Sequence, residues 1–388
     1  MKICVDARYY GPEGTGIGKY VEKLLENLEE IDGSNEYHVI LRKDNFPLYN
    51  PKAPNFKKVL ADARWYSVKE QVLLPASLAK IKPDLVHFPH FNIPLLYPGK
   101  FVVTIHDVIK SEFKGASYTT RILPIYYLKH LGYEVTIRQA VQRSKKILVP
   151  SDFVKKKLRK TFGLPSEKIV VTHEAADDLF VQAGKQQVPE GKARQVLANY
   201  GIKKPFILYV GNAFPHKNLD NLLFALKLTD KKISLVYASA RNVFVDRLMS
   251  KAREIGVDDG LIISGFVPNE DLAVLYKLAE CFVFPSLSEG FGLPGVEAMA
   301  AGCPVVCSNI PVFKEVYGDA AVYFDPKKPK DISEKVQFII HNAPSSAKAS
   351  AGREFRIQQT KKGFGQVKKY SWKKLAEKTL QVYKQVSS

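Results

Sequence analysis

Two carboxylates, Glu289 and Glu297, stand with seven residues between them, and three glycines and a proline lie in that interval, in SEGFGLPGVE. The surrounding segment, 284–326, reads as a strand ending at Ser286, a loop, and a helix beginning near Pro294, a residue favoured in a first helical turn. Gly290, Gly292 and Gly295 would leave backbone amides bare at that helix N-terminus, a place for a diphosphate. Carboxylates there would repel the anion unless they point past it. Glu297, in the first turn, can accept two hydrogen bonds from a vicinal diol such as a ribose. Glu289, in the loop, can address a second polyhydroxylated group. Ribose, diphosphate and hexose in a row make a nucleotide-sugar. Singly, Glu297 reads equally as a complement to the helix dipole and Glu289 as a solvated loop charge. Their combination with the glycines and Pro294 favours a site.

A second glycine-rich stretch, GPEGTGIGKY (11–20), joins the first strand to its helix. Gly14, Gly16 and Gly18 allow close approach of backbone to a ligand, or simply a tight turn. The spacing is not G-x-G-x-x-G, and Tyr20 stands where a Walker loop carries Ser or Thr. Dinucleotide and P-loop readings therefore lose their specific support.

The elements that must position these groups alternate between strand and helix. Strand candidates are 2–8, 36–42, 84–89, 101–106, 145–151 and 168–174, then 205–212, 233–239, 260–266, 280–286, 303–308 and 320–325. Between the first two, Ile17, Tyr20, Val21, Leu24, Leu25 and Leu28 recur at helical spacing. Parallel strands need crossover helices, so this grammar predicts α/β architecture with parallel sheets covered on both faces. A polar stretch, 182–195, separates two series of similar grammar and reads as part of a linker over 185–200. The expectation is two doubly wound, Rossmann-like domains facing a central cleft: 1–190, 191–368, and a closing helix over 369–388. Ligands of such sheets sit at the carboxyl ends of strands. Residues 185–200 and 365–371 are the expected hinges.

The chain has 388 residues, 58 Lys and Arg against 39 Asp and Glu, and a net charge of +19. Disorder is excluded by an 11% aromatic and 46% hydrophobic content. No run of 18 apolar residues offers a membrane-spanning helix, and the N-terminus lacks a secretory pattern. Cys4, Cys281, Cys303 and Cys307 lie in apolar runs whose spacing fits neither zinc nor a disulfide framework. Residues 101–160 hold 13 basic against 4 acidic residues, and 341–388 hold 11 against 2. Nucleic acid, an anionic lipid surface, a phosphorylated substrate and a merely solvated basic face all fit such segments.

On these residues the chain resembles the family-4 retaining glycosyltransferases of the GT-B fold, bacterial mannosyltransferases in particular. Glu289 and Glu297 with GFGLP between them meet the E-x7-E signature; CVDARYYGPEGTGIGKY, VGNAFPHKNL (210–219) and YSWKKLAEKTLQVYKQ (370–385) extend the likeness over nearly the whole chain. The resemblance implies that Glu297 holds the ribose and that Glu289 contacts the transferred sugar, with the amides of Gly290, Phe291, Gly292 and Leu293 beside it. It implies that Lys217 binds the diphosphate and stabilises charge on the leaving group, that His106 lies near the donor sugar, and that Gly14 and Gly16 lie by the diphosphate. The family often carries an Arg where this chain has Asn212, so His216, Lys217 or Arg241 would share its work. His90, Asp107 and Tyr118 are acceptor-side candidates. The implied reaction retains anomeric configuration by front-face substitution. It needs no metal or cofactor, consistent with the absence of Asp-x-Asp. The donor, GDP-mannose or a UDP-sugar, is a co-substrate, and the acceptor is a glycan or lipid-linked sugar. The enzyme is expected in the cytoplasm, and the two basic segments, placed together on the first domain by the closing helix, predict peripheral attachment to the inner face of the membrane, with no nucleic acid as partner. Two rivals stay open: a nucleotide- or nucleic-acid-binding protein without transferase activity, and a GT-B enzyme using a soluble sugar-phosphate acceptor.

Overall fold

A computed structural model describes residues 1–387 apart from 114, 116–118, 120, 121, 231, 240–243 and 342–348, and apart from the side chains of 341 and 349–354. The chain forms two units: Met1–Glu174 with Ser371–Ser388, and Ala175–Tyr370.

The first unit runs β1 (Lys2–Asp6), α1 (Thr15–Ile31), β2 (Glu36–Leu41), β3 (Phe56–Leu60), α2 (Val68–Ile81), β4 (Leu85–Phe88), β5 (Phe101–Thr104), α3 (Ile109–Glu112), α4 (Leu123–Arg143), β6 (Lys146–Val149), α5 (Asp152–Phe162) and β7 (Ile169–Val171). The strands pair in parallel in the order β3-β2-β1-β4-β5-β6-β7. Strands β4 and β5 are buried along their whole length, as a sheet covered on both faces requires. The stripe Tyr20, Val21, Leu24, Leu25 and Leu28 is buried, as its spacing predicts. Tyr133, Ile137, Ala140 and Val141 of α4 join Leu74, Leu78, Val86 and Val103 in one core cluster. Ser151 caps α5 by accepting the Val154 amide, and Gly163 closes that helix at φ 66°.

The second unit runs α6 (Asp178–Lys185), α7 (Glu190–Asn199), β8 (Phe206–Val210), α8 (Leu219–Lys227), β9 (Ser234–Ala238), α9 (Val245–Ile255), β10 (Leu261–Gly265), α10 (Asn269–Leu278), β11 (Phe282–Phe284), α11 (Leu293–Ala300), β12 (Val305–Ser308), α12 (Pro311–Tyr317), β13 (Ala321–Phe324), α13 (Pro329–His341) and α14 (Ala349–Val367). Its parallel order is β10-β9-β8-β11-β12-β13. The chain then returns to the first unit as α15 (Trp372–Ser387), which packs on α1 and buries Leu375, Ala376, Leu380 and Tyr383.

Two boundaries differ from the sequence expectation. The first unit ends at Glu174 rather than 190, and residues 185–200 are not a free linker. Helices α6 and α7 both pack on α10, and they bury Phe180 and Val196. The segment looks like a linker because Val196 is the one buried residue of α7. The second crossing, at Tyr370, falls within the expected 365–371. All four cysteines are buried free thiols. Burial pushes the Cys4 and Cys303 thiols up to about 12, which makes them poor nucleophiles.

Candidate active site

In each sheet the strand order reverses once, between β1 and β4 in the first unit and between β8 and β11 in the second. Loops leaving the carboxyl ends of the two strands diverge there, which opens a crevice for a ligand. The sequence-predicted carboxylates and Lys217 lie at the reversal of the second unit.

Lys217 sits in a short 3-10 turn, Pro215–Lys217, after β8, and Glu289 in the loop after β11. Lys217 Nζ lies 2.6 Å from Glu289 Oε1, and the side chains are only 15% and 10% exposed. Ser286 Oγ donates to the same oxygen at 2.7 Å, so Oε2 takes part in neither bond. The ammonium carries three donors, of which one is committed to Glu289. The two loops are tied together by the Leu287 amide, which donates to the His216 carbonyl at 2.8 Å. Asn218, held at φ 60°, adds a second tie by donating to the Pro285 and Pro326 carbonyls at 3.0 and 2.7 Å. The Lys217 ammonium also stands 5.7 Å from the Phe284 ring centre. The arrangement is a fixed cation beside a carboxylate, on a strand-end scaffold; Glu297 stands in the second turn of the adjoining α11 rather than the expected first, because the helix begins at Leu293. Such a cation stabilises negative charge that builds up on a departing phosphate.

Asn212 is half-buried after β8; its carbonyl accepts from Tyr209, while its side-chain Oδ1 is buried without a hydrogen-bond partner among the described residues. His216 is stacked on Phe214 at 5.9 Å. Arg241 lies outside the described residues. Phe291 is buried, edge-on to Tyr370 at 5.3 Å, and Leu293 opens α11. Gly290 is buried in the loop between Glu289 and Phe291.

Two glycines of this loop are also required by packing. Gly292 adopts φ +92°, and a Cβ there would come 2.3 Å from the Tyr317 hydroxyl and 2.7 Å from the Phe313 ring. At Gly295 a Cβ would again meet the Tyr317 hydroxyl at 2.3 Å. That hydroxyl donates to the Gly292 carbonyl at 2.6 Å. Both glycines let α12 pack tightly against α11. The first glycine loop divides in the same way. A Cβ at Gly14 would lie 1.9 Å from the Tyr9 carbonyl oxygen, so Gly14 is required by the turn itself. Gly16 is exposed, with nothing within 4 Å of a Cβ, and is the glycine of that loop free to meet a ligand.

In the first unit, His106 follows β5. Its Nδ1 lies 3.2 Å from Glu174 Oε1, its Nε2 lies 3.0 Å from the Pro89 carbonyl, and Tyr20 stands edge-on at 4.8 Å. Both ring nitrogens thus face acceptors, which fixes the ring. Asp107 serves the local turn, with Oδ1 accepting the Ile109 amide at 2.9 Å. His90 is buried among Tyr9, Tyr66 and Phe91, and burial with Lys110 nearby holds it well below the usual imidazole range. Tyr118 lies outside the described residues. Sequence reasoning missed Ser286 and Glu174. Ser286 stands three residues before Glu289, a spacing that could have suggested it. Glu174 is 68 residues from His106, and no local pattern links them.

The profile of the family described as "Glycosyl transferases group 1" matches residues 194–355, and that of "Glycosyltransferase Family 4" matches residues 14–178. The chain is 30% identical to O-antigen chain mannosyltransferase B of Escherichia coli over 95% of this chain and 96% of that protein. It is 26% identical to O-antigen chain mannosyltransferase RfbU of Salmonella typhimurium over 87% and 90%. Among solved structures, WaaG, a glycosyltransferase involved in lipopolysaccharide biosynthesis, superposes with a TM-score of 0.72 at 15% identity over 98% of this chain and 99% of that one. The sucrose-phosphate synthase of Thermosynechococcus elongatus does so with 0.76 at 18% over 100% and 99%.

Proposed function

The chain belongs to the group 1 glycosyltransferases of GT-B fold, and from that premise we propose that it transfers mannose, with retention, from GDP-mannose to a glycan or lipid-linked acceptor of a cell-surface polysaccharide. The observation that carries the reading is the Lys217–Glu289 pair at the β8/β11 reversal. Lys217 stabilises charge on the leaving diphosphate. Glu289 orients the mannosyl hydroxyls through the oxygen that Ser286 and Lys217 leave uncommitted. Glu297 receives the ribose diol, and Gly16 meets the diphosphate. The departing phosphate oxygen takes the proton of the attacking hydroxyl, so positioning and electrostatics supply the catalysis. With Lys217 placed for this charge and no Asp-x-Asp in the chain, no divalent metal is required.

Purified protein incubated with radiolabelled GDP-mannose, UDP-glucose and UDP-galactose in excess EDTA, with a mannoside acceptor, tests this. Transfer from GDP-mannose with α-configuration in the product is expected. Transfer only after Mn2+ is restored, or an inverted product, overturns the mechanism. Transfer from a UDP-sugar alone overturns the donor.

We place the enzyme on the cytoplasmic face of an anionic membrane. No helix among the described residues is long and apolar enough to cross one. The support is α4: Leu123, Tyr127, Leu131 and Val135 recur every fourth residue, with Leu128 beside them, and all are exposed, Leu128 by 72%. This stripe lies away from the Tyr133–Ile137 stripe that faces the core, and exposed Lys129 and Arg138 accompany it. An apolar stripe with bases beside it matches an interfacial helix on anionic lipid. Lys155 of α5 and Lys378 of α15 also line one surface pocket, so the two basic segments meet on this unit. Sedimentation with phosphatidylglycerol vesicles, lost in Leu128→Glu/Leu131→Glu and absent with neutral vesicles, is expected. Equal recovery of both proteins in the supernatant would refute it.

A further inference from the structure

The reversal between β1 and β4 holds aromatic rings where its counterpart holds an ion pair. Tyr9, just after β1, stacks on Trp65 at 4.5 Å and meets His90, just after β4, at 5.1 Å. Tyr66 stands edge-on to His90 at 5.9 Å and 6.0 Å from Phe91, which in turn meets Tyr133 at 4.9 Å. Tyr9, His90, Phe91 and Tyr133 are buried, and Trp65 has Tyr9 on one side and Arg42 4.3 Å from its ring. Tyr66 is the member presented to solvent, 51% exposed.

Its backbone conformation adds a second cost. Tyr66 sits at φ 62°, a region unfavourable for any side chain larger than glycine. A buried ionic network holds it there. The Tyr66 amide donates to Glu70 Oε2 at 2.9 Å. Glu70 Oε1 accepts from Arg8 at 2.5 Å and from Asn92 at 2.6 Å, and Arg8 is bound through two nitrogens to Asp6, each at 2.7 Å. Arg8 and Glu70 are fully buried. Ion pairs so placed are weak contributors to stability compared with apolar packing. An exposed aromatic ring, an unfavourable φ and a buried charge network together are poor choices for folding alone, and such features gather at binding sites.

The polar groups point the same way. His90 Nδ1 accepts the Asn92 amide at 3.3 Å, so the proton of the neutral ring lies on Nε2, 3.4 Å from the Tyr66 hydroxyl oxygen. That oxygen is the acceptor, and the same hydroxyl also meets that of Tyr9, so the hydroxyl is tied into the cluster while the ring face stays open to solvent. The exposed Lys110 ammonium stands 5.0 Å from the Tyr66 ring centre.

We propose that this strand-order reversal is a sugar subsite in which Tyr66 stacks on a pyranose ring of the acceptor while Lys110 binds the ring's hydroxyls. The Asp6–Arg8–Glu70 network is a positioning device for that ring. This deepens the proposed function and rests on its glycan acceptor.

The test uses the full chain and three probes: methyl α-mannoside, methyl α-glucoside and methyl α-galactoside. Saturation-transfer NMR reads binding without catalysis, and the KM of octyl α-mannoside reads it during transfer. Tyr66→Gly relieves the backbone, so its melting temperature should match or exceed that of the wild type, while probe signals vanish and the acceptor KM rises about fivefold or more. Tyr66→Phe keeps the ring and should stay within about twofold. Lys82→Gly is the control: it lies exposed at the end of α2 at φ 52°, so it should stabilise the fold without changing the KM. Full binding by Tyr66→Gly, a fall of several degrees in its melting temperature, or no binding of any pyranoside by the wild type would overturn the proposal. Binding lost in Tyr66→Gly by a protein that transfers no mannose would uphold the subsite and refute the proposed reaction instead.

Discussion

Replacing Lys217 by Met removes one charge and keeps most of the side-chain volume. At 2.6 Å and an effective dielectric of about 20, its attraction to Glu289 is about 6 kcal/mol. Desolvation of the two ions offsets much of that. Removing one partner of a buried pair costs about 3–5 kcal/mol, and the slight exposure of these two argues for the lower end, about 3 kcal/mol. For a unit of this size that lowers the melting temperature by roughly 6–12 °C. The chemical effect is separate. An ammonium about 4 Å from the leaving phosphate oxygen contributes about 4 kcal/mol at the same dielectric, so turnover should fall about a thousandfold. The double variant Lys217→Met/Glu289→Gln separates the two. It leaves no lone charge, and the neutral amide now at position 289 can still accept from Ser286, so most of the lost stability should return. Turnover should not return. Melting curves and single-turnover transfer from GDP-mannose, run on wild type, both single variants and the double variant, complete the cycle. If turnover recovers together with stability, Lys217 served folding and the chemical role is wrong. Lys217→Met within tenfold of wild-type turnover would refute it equally.

The same geometry dictates four further outcomes. His87 is fully buried, with Nδ1 2.6 Å from the Tyr383 hydroxyl and Nε2 2.8 Å from Thr104 Oγ1, and burial pushes it down to about 3. A lowered imidazole value contributes stability that is complete above about 6.5 and is lost as pH falls toward 3. Unfolding free energies from urea titrations between pH 7 and 4.5 should therefore drop by up to about 1.4 kcal/mol per pH unit, with a shallower slope in His87→Gln. In the same titrations Gly292→Ala should cost more than about 2 kcal/mol against the Tyr317 hydroxyl. Gly16→Ala, in open space at the start of α1, should leave stability equal or up to about 1 kcal/mol higher while raising the donor KM; an unchanged KM would remove Gly16 from the donor site. Deleting residues 371–388 strips Trp372, Leu375, Leu380 and Tyr383 from the first unit, so calorimetry should lose that unit's transition and keep the other.

The architecture is legible wherever burial is complete. All twelve strand candidates form strands, because two-sided burial writes continuous apolar runs such as FVVT and FILYV. β3 escapes that rule. It is an edge strand, with Phe56 its one buried residue and Lys57 and Lys58 beside it, so its sequence lacks the apolar run. α7 escapes for the same reason in helical form, and the boundary error at 190 follows from it. The GT-B expectation depends on neither element, since strand order is carried by the buried strands.

The site is legible only where it is local. Glu289 and Glu297 fall within one strand–loop–helix segment, so neighbours in the chain supply the pattern; Ser286, in the same segment, is no part of that pattern. Lys217 lies 72 residues from its carboxylate and gains meaning only when β8 and β11 pair as neighbours. The aromatic cluster of the first unit is the extreme case. Its members come from positions 9, 65, 66, 90, 91 and 133, scattered over more than a hundred residues with no shared motif. Glycines mislead in the opposite direction. Gly292 and Gly295 stand in the most recognisable run of the chain, yet what they approach is Tyr317, a fully buried residue on the next helix. A residue of a signature can therefore carry a packing role that its spacing does not announce. Two of the signature's glycines secure the packing of α12 on α11, the helix that carries Glu297 and follows the loop of Glu289.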